Sequence, residues 1–114
     1  MNYRIMDILE HMYDDVSDII RFTGEIGCVD VFVDNKLYHK AIIMSILNIG
    51  ELAKQLPDEY RLLHLEIPWK KIMGMRDIAA HGYHKMDDDI IWDTAVNSIP
   101  MLADFLEKQL GEFR

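Results

Sequence analysis

The sequence of 114 residues predicts an all-α protein: an antiparallel four-helix bundle with a short extra helical turn and a kinked last helix. Three observations carry that expectation. Apolar residues recur at helical spacing over four stretches, acids occupy the opposite faces, and glycine or proline stands where the stretches stop. Half of the positions are hydrophobic. A chain of this length buries roughly two thirds of the surface its unfolded form exposes, enough for a core without disulfides or metals.

The first helix is expected from about Asn2 to Ile26, where Ile5, Ile8, Leu9, Met12, Val16, Ile19, Ile20 and Thr23 line one face and Gly24 and Gly27 mark its end. Val29 to Asn35 reads as an irregular connector, because a lone strand would find no partner. Asp34 is the expected N-cap of the second helix, which Pro57 stops after about Leu56. This helix is apolar over a wide arc. Leu37, Ala41, Met44 and Leu52 lie toward one side and Ile42, Ile46 and Ile49 toward another, so it should touch two neighbours. Gly50 in its middle costs about 1 kcal/mol relative to Ala, which fits a place where another backbone packs close.

Asp58 to Leu65 predicts a short helical turn. Pro68 suits the first position of a third helix and Gly82 the left-handed position just beyond it, so that helix should run from Pro68 to about His81. Asp87, Asp88 and Asp89 cap the last periodic stretch, Trp92, Ala95, Val96, Ile99, Leu102, Leu106 and Leu110, and Pro100 should kink it. Met44, Met73 and Met101, together with Trp69 and Trp92, read as packing residues, whereas His11, His39 and His64 are scattered and expected to be exposed. No repeat, linker or low-complexity tract divides the chain, which predicts a single domain over 1–114.

Twelve Lys and Arg against 20 Asp and Glu give a formal charge of −8, which speaks against an extended non-specific binder of duplex DNA. The one cysteine, Cys28, excludes a disulfide scaffold and has no neighbouring base to make it a nucleophile. No run approaches the ~20 apolar residues that cross a bilayer, and the first residues lack a signal-peptide stretch, so a cytoplasmic protein without a membrane partner is expected. The acidity is uneven. Residues 1–67 sum to −6 and 87–114 to −5, but Lys70, Lys71, Arg76 and Lys85 against Asp77 make the stretch between them +3. Such an island suits a phosphate.

Within it, Arg76-Asp77-Ile78-Ala79-Ala80-His81-Gly82-Tyr83 places a permanent cation, an imidazole and a phenol together. A guanidinium presents a planar donor fork to phosphate oxygens, and histidine is the side chain best suited to moving protons near neutral pH. Together they match phosphodiester chemistry. Arg76 and His81 are not aligned on an ideal helix, and Gly82 is expected to unwind the last turn so that His81 bends back. One histidine cannot be acid and base at once, and a two-fold dimer with this segment at its axis would divide the roles. His81, His84 and Asp87 form no standard zinc spacing, so neither a metal nor a cofactor is expected.

Arg76, His81 and Tyr83 reproduce an Arg-x4-His-x-Tyr signature, flanked by Ile49-Gly50-Glu51-Leu52-Ala53, Leu56-Pro57, Ile67-Pro68-Trp69, Gly74-Met75-Arg76 and Ile91-Trp92. In these residues the chain resembles HEPN proteins of the HepT type, the toxin halves of HepT/MntA toxin–antitoxin modules, over about Leu37 to Leu110. The resemblance implies a homodimer that cleaves RNA without metal, the 2′-hydroxyl attacking the adjacent phosphate at the dimer cleft. It implies His81 as the acid/base group and Arg76 as the phosphate clamp. Tyr83 matches a tyrosine that a partner nucleotidyltransferase antitoxin modifies with AMP in this type VII-like pairing, and Glu51 falls where it would orient Arg76. Asp77 replaces a common asparagine and His84 a common aromatic residue, both as supporting positions. The alternative is a catalytically weak HEPN subunit that serves as substrate or docking partner of the nucleotidyltransferase, and a purely structural helical dimer is the third reading.

Overall fold

The structure is a computed structural model that describes residues 3–82 and 87–113, the side chains of residues 75, 77–82 and 113 excepted. The described chain is all-α. In order it forms α1 (Tyr3–Ile26), α2 (Val29–Asp34), α3 (Lys36–Gln55), α4 (Asp58–Leu62), α5 (Trp69–Gly82), α6 (Asp88–Asp93), a π-helical segment (Thr94–Ser98) and α7 (Ile99–Phe113).

Helix α1 stops where the sequence stops it. Gly27 takes the left-handed conformation, φ 77°, and its N–H donates to the Thr23 carbonyl at 2.9 Å, closing the last turn. The expected irregular connector is instead the short helix α2, which buries Phe32 completely. Six residues are too few to show helical periodicity, so only the packing of Phe32 reveals it. The cap of α3 also falls one residue later than expected. Asn35 rather than Asp34 is the N-cap, its side-chain oxygen accepting from the N–H groups of Leu37 at 3.1 Å and Tyr38 at 3.2 Å, while Asp34 closes α2.

Helix α3 is the hub. It packs against α1 on one side and α5 on the other and also touches α2, and α1 in turn packs against α7. Its Ile42, Ile43, Ile46, Ile49 and Ala53 are buried, joined by Leu9, Met12, Val16 and Ile19 of α1 and Leu102 and Leu106 of α7. The other half of its apolar arc is only partly covered: Leu52 packs against the core, but Leu37 and Met44 are exposed, and so is Met101 on α7, against the expectation that these methionines fill the core. The Arg61 guanidinium donates to the Ala53 carbonyl at 2.9 Å and pairs with Asp58, which satisfies the C-terminal end of α3 and fixes α4 beside it.

The Pro68 carbonyl accepts from the Ile72 N–H at 3.1 Å, so Pro68 caps α5 rather than opening it, one position earlier in the helix than expected. Asp87 caps α6 through the N–H groups of Asp89 and Ile90. Where Pro100 predicts a kink, the helix widens into the π segment just before it. Proline lacks an N–H and its ring crowds the carbonyl four residues earlier, here that of Val96, and π geometry over residues 94–98 accommodates both faults. Among the described residues no helix is long and apolar enough to cross a membrane.

One carboxylate is held against its preference at the α1–α3 seam. Burial, then the neighbouring Asp18, push Asp15 up from 3.8 to about 6, while a hydrogen bond with Asn48 works the other way. The folded protein therefore binds more protons at this site than the unfolded chain between those two values, and stability falls as pH rises through them. Asp15→Asn should gain on the wild type as pH rises from about 4 to 6 and keep a constant advantage above that window. Urea midpoints of both proteins across the range check this, and a difference that does not change with pH would contradict it.

Candidate active site

Helix α5 carries the motif and packs principally on α3, so the contact between those two helices sets where Arg76 stands. They approach closely at Gly50. A Cβ built there would lie 2.8 Å from the Arg76 Cβ and 2.9 Å from the Ile72 carbonyl oxygen, closer than real side chains come, and 3.3 Å from the Arg76 N. Gly50 is thus the only residue type that lets the α5 backbone sit this near α3, which accounts for a glycine in the middle of an otherwise apolar helix.

One residue on, Glu51 reaches across the seam. Its Oε2 lies 2.5 Å from the Arg76 Nε. The Arg76 and Glu51 side chains are 34% and 45% exposed, so the pair is partly hydrated and contributes no more than about 1 kcal/mol to stability. Its consequence is orientation. A carboxylate on Nε restrains the plane of the guanidinium and gives a flexible side chain a preferred direction.

The backbone of α5 stays helical through His81 and Gly82. The unwinding expected before Gly82 is therefore not found, and positions 76 and 81 stand about 140° apart around the helix axis, by the 100° turn per residue of an α-helix. The side chains of Asp77 and His81 lie outside the described residues, as do Tyr83 and His84 entirely. Lys70 and Lys71 are exposed in the first turn of α5. Among the described residues no group of three or more His, Cys, Asp or Glu is placed to hold a metal ion, and the weighed trio of His81, His84 and Asp87 falls largely outside them.

Two histidines expected at the surface are packed instead. His64 sits between Tyr60, centroids 4.6 Å apart, and Phe105 at 5.1 Å, and its carbonyl accepts from the Trp69 indole at 2.9 Å. His39 stacks on the buried ring of Phe32 at 4.8 Å, with its Nε2 2.7 Å from Asp88 Oδ1. Neither pairing was legible in the sequence, because the partners are far apart along the chain. Only His11 is exposed as expected; the Asp7 carbonyl accepts from its ring, and that contact followed by the Asp7 charge raises its pKa.

Fold and site together define an all-α class of domain in which a glutamate of α3 holds an arginine of α5, with a histidine five residues further along the same helix. The comparisons with known proteins narrow the class. The family model Ribonuclease HepT-like matches residues 12–109. "Probable ribonuclease HepT" of Thermococcus cleftensis is 36% identical over 102 residues, covering 90% of this chain and 92% of that protein. A "Putative RNase" of Caldanaerobacter subterraneus is 38% identical over 104 residues, covering 91% and 88%, and one of Methanocaldococcus jannaschii is 38% identical over 96 residues, covering 84% and 75%. No solved structure gives a significant match. The chain belongs to the HepT-like ribonuclease family.

The Gly50 contact makes a strict demand on one position. Gly50→Ala should destabilise the fold by about 1–3 kcal/mol, the usual cost of forcing a methyl group into a packed seam. The neighbours to be displaced are backbone atoms and a Cβ, not the end of a flexible side chain. A urea midpoint equal to that of the wild type would show that α3 and α5 do not approach this closely.

Proposed function

We propose that this chain is a metal-independent endoribonuclease and the toxin of a toxin–antitoxin pair, a single cytoplasmic domain that works as a homodimer. The observation that carries the reading is Arg76 held by Glu51 across the Gly50 contact, on a helix that continues to His81. The RNA 2′-hydroxyl attacks the adjacent phosphorus. A bond from O2′ to phosphorus forms and the bond to O5′ breaks, leaving a 2′,3′-cyclic phosphate and a free 5′-hydroxyl. Arg76 stabilises the charge that gathers on the phosphate oxygens. His81 moves the proton taken from O2′ or delivered to O5′.

Two features support pairing of copies. Positions 76 and 81 diverge around α5, so one helix is poorly placed to present both groups to one phosphate, whereas two copies supply both from facing helices. Leu37 and Met44 leave part of the α3 apolar arc exposed, which a second copy would cover. The restraining partner is a nucleotidyltransferase of the antitoxin. The Tyr83 oxygen attacks the α-phosphorus of ATP, pyrophosphate leaves, and the AMP placed in the motif adds negative charge and bulk where RNA must bind. Asp77 and His84 are supporting positions within the same segment.

Arg76→Ala and His81→Ala proteins that remain folded should each lose at least a hundredfold in RNA cleavage, within the range general acid–base and electrostatic groups contribute. Cleavage by the wild type should survive a chelator. Undiminished cutting by either variant removes its assignment. Incubation with the nucleotidyltransferase and ATP should add one AMP mass and abolish cutting. The same addition on a chain that never cut RNA would favour the docking-partner reading, and the absence of both would leave a structural dimer.

A further inference from the structure

The motif segment leaves α5 at Gly82 and re-enters described structure at Asp87, so the question is what holds its far side. Asp88, in the first turn of α6, has its Oδ1 2.7 Å from the Nε2 of His39 on α3. His39 and Asp88 are only 20% and 31% exposed. The imidazole is fixed from a second direction by Phe32 of α2, stacked at 4.8 Å with an interplanar angle of 29°, and Phe32 in turn packs on Trp92 of α6 at 5.6 Å. The pair therefore ties α2, α3 and α6 at one point.

The two ion pairs flanking the motif share one support. Glu51 and His39 lie twelve positions apart on α3, about 18 Å along its axis at 1.5 Å per residue. Arg76 and Asp88, their partners, also stand twelve positions apart in the chain, and only five residues separate Gly82 from Asp88. Since α5 packs principally on α3, the same helix that fixes Arg76 also fixes the segment's other end.

We propose that His39 and Asp88 are positioning residues for the reaction at Arg76 and His81: they clamp the far end of the motif segment to α3 as Glu51 clamps its near end. They do not touch RNA. Their effect is on where the chain beyond α5 is anchored, and so on the chemical step rather than on the hold on substrate. The inference rests on the ribonuclease reading above for its kinetic consequence, but the clamp itself has a separate readout.

The test uses the full chain with His39→Leu, Asp88→Ala, the double substitution, and His39→Gln, whose amide can still donate to Asp88. Hydrogen exchange of peptides spanning residues 88–93 should speed up in His39→Leu and Asp88→Ala and stay near the wild type in His39→Gln. In RNA cleavage, kcat should fall on the order of tenfold in the first two with KM within about twofold, because small displacements of reacting groups cost rate before affinity. The double variant should be no worse than either single one, since the pair acts as a unit, and His39→Gln should recover most of the rate. Wild-type exchange in both single variants overturns the clamp. Faster exchange with an unchanged kcat overturns the positioning role. If the wild type cuts no RNA, it is the ribonuclease reading that fails, and the exchange arm alone decides the clamp. If His39→Leu fails to fold, Asp88→Ala at the more exposed partner decides in its place.

Discussion

The close approach of α3 and α5 at Gly50 is the constraint on which the arrangement of the candidate site depends. Without a Cβ at that position the two backbones come near enough for Glu51, one residue along, to reach the Arg76 Nε at 2.5 Å. The order of cause matters. The ion pair is partly hydrated and too weak to draw two helices together, being worth at most about 1 kcal/mol. The packing seam around Ile46, Ile49 and Ile72 is what brings them together, and the carboxylate then selects one direction for a side chain already in place. A larger residue at position 50 would separate the helices and leave Glu51 without reach, even with every charged group intact.

Helix α3 also explains why the site does not depend on α5 packing widely. Its Ile42, Ile43, Ile46 and Ile49 are buried in the common core, which makes α3 the most firmly held surface available to a neighbour. Attachment of the motif helix to such a surface fixes it with few contacts, because a rigid support loses little by restraining one more element. The cost appears on the other side of the same helix, where Leu37 and Met44 remain exposed. A helix apolar around too much of its circumference either has a further neighbour or leaves oily surface in water.

Much of this was legible in the sequence, and for identifiable reasons. Periodicity located α1, α3, α5 and the last helix, since each exceeds the length at which a 3.6-residue repeat can be told from chance. Gly27, Pro57 and Asp87 marked boundaries because each makes a local backbone demand that needs no distant partner. Gly50 signalled a close approach for the same reason, though not which backbone approaches it. What was hidden is non-local or short. Helix α2 is six residues long, and the burial of Phe32 depends on α3 and α6. His39 and Asp88 are 49 residues apart, so reading His39 as a surface residue was natural and wrong. The exposure of Met44 and Met101 was missed because helical spacing says which residues share a face, and is silent on whether anything covers it.

The electrostatics of the chain follow from the same geometry. A formal charge of −8 should repel a polyanion, yet Arg76 stands in the only stretch that sums to +3, with Lys70 and Lys71 exposed on the first turn of its own helix. At physiological ionic strength the Debye length is about 8 Å, so a phosphate at Arg76 is governed by charges within roughly that radius and is largely screened from acids farther away. A strand elsewhere on the surface meets the acids instead. On the proposed reading, the acidic body therefore discourages adsorption of RNA at large without weakening the hold at the motif, and Glu51 does not spoil that hold. Its carboxylate sits on Nε, at the side of the guanidinium, and orients the cation while adding a local negative charge whose field the partly hydrated setting damps.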